Sequence, residues 1–200
     1  VGILTSLARP MRAAWPASDD RYYDTGQWLS SPAGGGATWA GTVVSTDAAM
    51  RLGAVWACIN LVANQISSVP LPTYERLADD DRRKATETDT YRLFGIAPNR
   101  YQTPMEYRRL QVAHLLLRGN SFAFKVPNPL RPWETAELLP LHPDAVTVER
   151  VRVETVNRMP VYAARYRVRM TDGTTEYYTS DEISHVRGMT LDGWAGISVV

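Results

Sequence analysis

Three histidines, one cysteine and an acidic run are the side chains best equipped for acid–base, nucleophilic or metal chemistry. Their spacing is the first test. His114, His142 and His185 stand far apart, in no HExxH pattern and at no spacing typical of a zinc site. A hydrolase site built on Cys58 would need a histidine and an aspartate from distant parts of the chain, a combination that any chain of this size offers on paper. Asp79-Asp80-Asp81 runs directly into Arg82-Arg83-Lys84. Adjacent opposite charges in a polar stretch predict a solvated turn, and nothing there holds ligands convergently for a metal. Gly34-Gly35-Gly36 lacks the lysine and flanking pattern that cradle a phosphate. There is no Walker A loop, dinucleotide fingerprint or G-x-S-x-G elbow. The residues point to no catalytic group, no cofactor and no metal.

Phosphate contact is the remaining chemistry. Lys plus Arg number 22 against 21 acidic residues, so the net charge of +1 argues against coating nucleic acid by bulk charge. Arg165, Arg167 and Arg169 nevertheless alternate along one strand face, and such a stripe can touch a DNA backbone without reading bases. A two-residue hairpin at Asp172-Gly173 would place Arg169 opposite Glu176, where charge pairing suffices to explain the pattern. A solvated, paired face is the favoured reading; DNA binding by these three arginines is the alternative.

The elements that would position these groups follow from periodicity. Leu52, Val55, Trp56, Ile59, Val62, Ala63 and Ile66 recur at three- and four-residue spacing. They predict a helix capped by Ser45 or Thr46 and stopped by Pro70 and Pro72, with Val69 to Glu75 extended beyond it. Cys58 lies beside that stripe and reads as a small, buried structural residue. Arg92 to Ala97 predicts a short helix ending at Pro98. Thr103-Pro104-Met105-Glu106 is a capping box with proline at the first helical position. Tyr107, Leu110, Ala113, His114 and Leu117 line one face of the helix that follows, and Gly119 suits its C-terminal cap. His114 therefore reads as a packed helix residue.

Beyond Asn120 the period changes from helix to strand. Ser121 to Val126, Glu137 to His142, Val146 to Val153, Val161 to Met170 and Thr174 to Thr179 are the predicted strands. The apolar phase shifts from Val146 and Val148 to Val151 and Val153, which predicts a bulge or turn near Glu149-Arg150. The fold class is α+β: two principal helices followed by a mainly antiparallel sheet with hairpins. Residues 1–45 read as an arm, broken by Pro10, Pro16 and Pro32 and carrying Trp15, Trp28 and Trp39. Those tryptophans predict packing on the chain's own body or docking at a subunit interface. The apolar stretches are too short and interrupted to span a membrane, and no signal-peptide pattern is present. A lone cysteine forms no internal disulfide, which is compatible with a reducing compartment.

Several short blocks occur in a particular order: Ala54-Val55-Trp56-Ala57-Cys58-Ile59-Asn60, Pro98-Asn99, Arg118-Gly119-Asn120-Ser121-Phe122-Ala123, Glu137 to Asp144, Asp181 to Gly188, and Asp192-Gly193 with Gly196-Ile197-Ser198. In this order they resemble the portal proteins of tailed bacteriophages, of the HK97-like type, from about Asp47 to Ser198. The resemblance implies structural roles for Asn99, Gly119, Asn120, Pro140, Pro143, His185, Gly188, Gly193 and Gly196. It implies that residues 46–200 are a wing-like domain, truncated before stem and clip, from the N-terminal portion of a longer protein. The function implied is that of a non-enzymatic subunit of the ring, a dodecamer when full length, at one capsid vertex of the virion. Its implied partners are further copies of itself, the major capsid protein, terminase, head–tail connector proteins and the double-stranded DNA that is packaged and ejected. Assembly would take place in the host cytoplasm, from a phage or prophage gene, with no membrane involved. The competing readings are an α+β protein-interaction module outside any portal and, third, a hydrolase with a Cys/His site.

Overall fold

The computed structural model describes residues 49–77, 81–156 and 159–197. The arm with Trp15, Trp28 and Trp39, the Ser45 or Thr46 cap, and Asp79-Asp80 lie outside the described residues. Helix α1, Gly53–Ser68, starts later than periodicity predicts. A turn, in which the Leu52 N–H donates to the Ala49 carbonyl at 3.0 Å, precedes it, and Leu52 supplies no side-chain cap. Val69 is extended at its end, and Pro70 cannot continue the helix. Two short exposed strands follow, β1 (Tyr74–Arg76) and β2 (Arg82–Lys84), paired antiparallel. Asp81 therefore sits in the turn of a solvated hairpin, as its charges predict, with Arg83 bonded to Glu75 at 2.8 Å. A helical turn at Asp89–Tyr91 then runs into a π-helical turn, Arg92–Ile96.

Helix α2, Pro104–Arg118, bears out the capping box. The Glu106 N–H donates to Thr103 Oγ1 at 3.3 Å, while the Thr103 N–H donates to Glu106 Oε2 at 2.8 Å. Donation from the Thr103 N–H, followed by donation from the Thr103 hydroxyl at 2.8 Å, holds the Glu106 carboxyl below its usual range. Thr103→Ala should lower unfolding stability by about 0.5–2 kcal/mol, readable as a shift of the urea midpoint. A midpoint equal to that of the parent chain would mean the box does not hold this helix start.

Six strands build the rest: β3 (Asn120–Pro127), β4 (Thr135–Leu141), β5 (Val146–Val156), β6 (Met159–Arg169), β7 (Thr175–Thr179) and β8 (Ile183–Arg187). They form two three-stranded antiparallel sheets, ordered β4-β3-β8 and β5-β6-β7. The α+β class holds, with two stacked sheets where one was expected. Alternation along β3 decides the layers. Phe122 and Phe124 point with Ile183 of β8 at Val146, Tyr166 and Val168 of the second sheet. Ala123, on the opposite face of β3, packs with Leu138, Tyr107 of α2 and Leu93. The order is a helix pair, a sheet and a second sheet. Each fully buried side chain such as Phe122, Ile183 or Val168 contributes about 1.5–3 kcal/mol by leaving water.

Two register predictions are corrected. The β6–β7 hairpin pairs Arg169 with Thr175 and Val168 with Glu176, so Arg169 does not face Glu176. The loop holds three residues, Thr171 to Gly173, because the Met170 N–H bonds the Thr174 carbonyl at 2.8 Å and Gly173 takes a φ of 83°. A glycine in the left-handed region is what a three-residue hairpin requires. Asp172 Oδ1 accepts from the Thr174 N–H at 2.9 Å and secures the longer loop. The β5 irregularity lies between Arg152 and Glu154, not at Glu149-Arg150. Val151 is buried on the face opposite Val146, so burial on both faces of β5 imitates a phase shift.

Candidate functional site

The blocks far apart in sequence meet where α2 hands over to β3. Gly119 closes α2 in the left-handed conformation, φ 69°, its N–H donating to the Leu115 carbonyl at 2.9 Å. The Gly119 carbonyl accepts from the Gly188 N–H, just past β8, at 2.8 Å. Gly196 lies against the same carbonyl. A methyl group added at Gly196 would overlap the Gly119 oxygen, and one added at Gly119 would overlap the Ile197 carbonyl. At Gly188 an added Cβ would stand 3.0 Å from the Gly119 oxygen. Three backbones approach within a distance only glycine permits, and Gly119 also needs its positive φ.

Asn120 sews this junction together. Its Nδ2 donates to the carbonyls of Arg118 at 3.1 Å and Gly196 at 2.8 Å. Its Oδ1 accepts from the Gly196 N–H at 2.7 Å and lies 3.0 Å from Nε2 of His185. An amide oxygen only accepts, so Nε2 carries the proton. His185 Nδ1 then accepts from the Tyr166 hydroxyl at 3.3 Å. The ring stacks on Phe122 at 4.4 Å, and burial, followed by the Arg187 charge, pushes its pKa down to about 4. Both nitrogens of this neutral imidazole are spent on the second sheet and the glycine junction. It is a strut, with no lone pair left for a substrate.

The closing loop is tied on the other side. Asp192 Oδ1 accepts from the N–H of Trp194 at 2.9 Å, and its Oδ2 pairs with Arg150 of β5 at 3.3 Å. The Arg150 guanidinium also lies 5.2 Å from the Trp194 ring centroid. Gly193 turns with φ 77°, and its carbonyl accepts from Arg187.

Asn99 anchors the segment ahead of α2. Buried, it donates Nδ2 to the Leu138 carbonyl at 2.9 Å and accepts on Oδ1 from the N–H of Gln102 at 2.9 Å. The Pro98 carbonyl takes the Leu138 N–H at 2.7 Å, so β4 is docked by two adjacent residues. Pro140 pairs in register with Ala123, and buried Pro143 opens the 3₁₀ turn Pro143–Ala145 leading into β5. Two arginine clamps were not legible in the sequence. Arg108 of α2 donates from Nη2 to the Ser67 carbonyl at 2.8 Å and from Nη1 to the Phe94 carbonyl at 3.0 Å, holding the last turn of α1. Arg92 donates to the carbonyls of Ala136 and Thr135 at 2.7 and 2.5 Å. Arginines on helices carry no sequence mark that separates such clamps from solvated charge.

The remaining candidates do not converge on chemistry. Arg165 grips Glu149 through Nε at 3.0 Å and Nη2 at 2.7 Å and lies 4.8 Å from the Tyr177 ring centroid. Arg167 reaches the same carboxylate at 3.2 Å. The stripe does line one face, opposite buried Tyr166 and Val168, but Arg165 and Arg167 pair with Glu149 on β5, and Arg169 stands opposite Thr175 rather than Glu176. Cys58 is exposed, which corrects its reading as buried: α1 meets α2 through Ala63 and Ser67 and turns the cysteine away. His114 packs edge-on against His142 at 5.6 Å, as a helix-packing residue should. Burial, followed by the His142 ring, brings its pKa down to about 4. Among the described residues no group of three or more His, Cys, Asp or Glu side chains is arranged to hold a metal, and no helix is long and apolar enough to cross a membrane.

A family model described as phage portal protein matches residues 53–200. Protein BeeE of Escherichia coli (strain K12) is 38% identical over 109 residues, 54% of this chain and 67% of that protein. The portal protein of Enterobacteria phage HK97 is 26% identical over 158 residues, 78% of this chain and 34% of its own length. A chain in the neck of a native GTA particle with C12 symmetry shares the fold at a TM-score of 0.51 and 21% identity, covering 76% of this chain and 38% of that one. The chain thus spans about a third of the HK97 portal protein.

Proposed function

Since the chain belongs to the phage portal protein family, we propose that it serves as a structural subunit of the portal ring at one capsid vertex of the virion. The ring would be the conduit for DNA packaging and ejection and the docking site for terminase and head–tail connector proteins. The observation that carries this reading is the family match over residues 53–200. The junction supports it: His185, which would otherwise invite catalysis, has both ring nitrogens bonded in joining the glycine junction to the second sheet. Twelve copies is our proposal for the assembled ring, prompted by the C12 symmetry of the GTA neck. Head-to-tail contacts close into a ring when their rotation permits. Contacts with the capsid protein, and assembly in the host cytoplasm, belong to the same proposal. Arg165 and Arg167 are committed to Glu149, so we assign the DNA contacts of the channel elsewhere in the assembled portal.

Electron microscopy of the full-length protein tests this directly. Closed rings with an axial hole are expected, and ATP turnover should require a separate motor. A protein that stays monomeric at high concentration, or hydrolyses ATP unaided, would overturn the assignment.

A further inference from the structure

The sheet β4-β3-β8 has two edges, of which one is covered and the other open among the described residues. On β4 the Leu138 N–H and carbonyl are bonded by Pro98 and Asn99, and Arg92 takes the carbonyls of Thr135 and Ala136. No such cover lies on β8. The Lys125 N–H donates to the Glu182 carbonyl and the Gly188 N–H to the Gly119 carbonyl, both at 2.8 Å. In that register the even-numbered peptide groups of β8 are spent on β3, and the odd-numbered ones point outward. The N–H and C=O of Ile183, His185 and Arg187 therefore have no partner among the described residues. A row of outward peptide groups is a template for a further strand.

Charge selects what is added. A cleft of about 450 Å³ opens between β8 and β6, with Ala164, Tyr166 and Trp194 among its walls. Lys125 and Arg187 also line it, and no carboxylate does. Neither cation forms an ion pair among the described residues: Lys125 donates to the Ser180 carbonyl at 3.2 Å, and Arg187 to the Gly193 carbonyl. Lys125 is level with the start of β8 and Arg187 stands at its end, about 13 Å along a strand. Residues four apart on an added strand share one face at that spacing. A second β8 does not fit, because two-fold antiparallel pairing sets Arg187 of each copy toward the Lys125 end of the other, cation against cation. We propose that β8 accepts an extended acidic segment of a different protein, with carboxylates four residues apart meeting Lys125 and Arg187. Main-chain bonds to Ile183, His185 and Arg187 supply affinity, and the cleft supplies specificity. This proposal stands on the open edge and its charge, independently of the portal assignment.

The test is fluorescence anisotropy of this chain with a fluorescein-labelled peptide, TETVTET, joined to amide hydrogen exchange of the same mixture followed by NMR. Binding should saturate, and the charge-reversed peptide TKTVTKT should bind at least about tenfold more weakly. Lys125→Glu should weaken TETVTET by about tenfold. On binding, the amides of Ile183, His185 and Arg187 should slow more than those of Ser184 and Val186, which β3 already holds. Equal affinity for the two peptides, an affinity unmoved by Lys125→Glu, or no binding at millimolar peptide overturns the proposal. So does slowing that ignores the alternation along β8. Alternate slowing that grows with protein concentration in the absence of peptide would assign the edge to a second copy and overturns it as well.

Discussion

Gly196→Ala should destabilise this protein by about 3–5 kcal/mol, far more than an alanine substitution at an ordinary loop glycine. The added methyl group would overlap the Gly119 carbonyl oxygen, a backbone atom with no rotamer through which to yield. Moving that carbonyl breaks its bond to the Gly188 N–H, and moving Gly196 instead breaks both of its bonds to Asn120. Buried polar groups left without partners cost about 1–3 kcal/mol each, which is why relaxation offers little relief. Gly173→Ala is the matched control. Its φ of 83° carries the same left-handed strain as other turn glycines, but an added Cβ meets nothing within 4 Å. It should cost only about 1–2 kcal/mol. Urea unfolding of the two variants decides the matter, and equal losses would show that the three-glycine contact does not form.

Local chemistry explains which parts could be read before folding. The capping box needs only residues 103–106, and the left-handed cap at Gly119 needs only the end of an amphipathic stripe, so both were legible. The Asp172-Gly173 turn was legible as a turn but not in its length. A two-residue and a three-residue loop differ by one backbone bond, and only the Met170–Thr174 pairing distinguishes them. Cys58 misled because periodicity marks an apolar stripe without saying how much of it a neighbour covers. Val151 misled because alternation identifies a single buried face, and β5 buries residues on both. The junction itself was visible only as ordered blocks. Nothing in Asn120 or His185 announces the other 65 positions away; the meeting is made by β3 pairing with β8 in a register that sets Phe122 opposite His185. Arg92 and Arg108 were not legible at all, because their carbonyl partners are supplied by backbone that carries no sequence signature.

Asn120 should prove the most sensitive side chain at that junction. Asn120→Ala removes two donated and two accepted contacts at once and strands the His185 Nε2 proton, so a loss of about 2–4 kcal/mol is expected. Asn120→Asp separates the electrostatic part from the loss of contacts. Its carboxylate keeps an acceptor for the Gly196 N–H, but it turns an oxygen toward the Arg118 and Gly196 carbonyls, where the amide donated. It also places negative charge about 3 Å from His185, which raises that imidazole from about 4. The sign of the pH effect follows. In the parent chain the folded state refuses a proton that the unfolded histidine takes near 6.5, so stability is complete above 6.5 and falls as pH drops toward 4. His114, also near 4, adds to the same window and is untouched by the substitution. Asn120→Asp should therefore be less stable than the parent at pH 8, yet lose less stability on acidification. The His185 C2 proton, followed by NMR, should titrate at a higher pH than in the parent. An unchanged His185 titration in Asn120→Asp would mean that the imidazole and residue 120 are not bonded, and that the glycine junction and the second sheet are held together by packing alone.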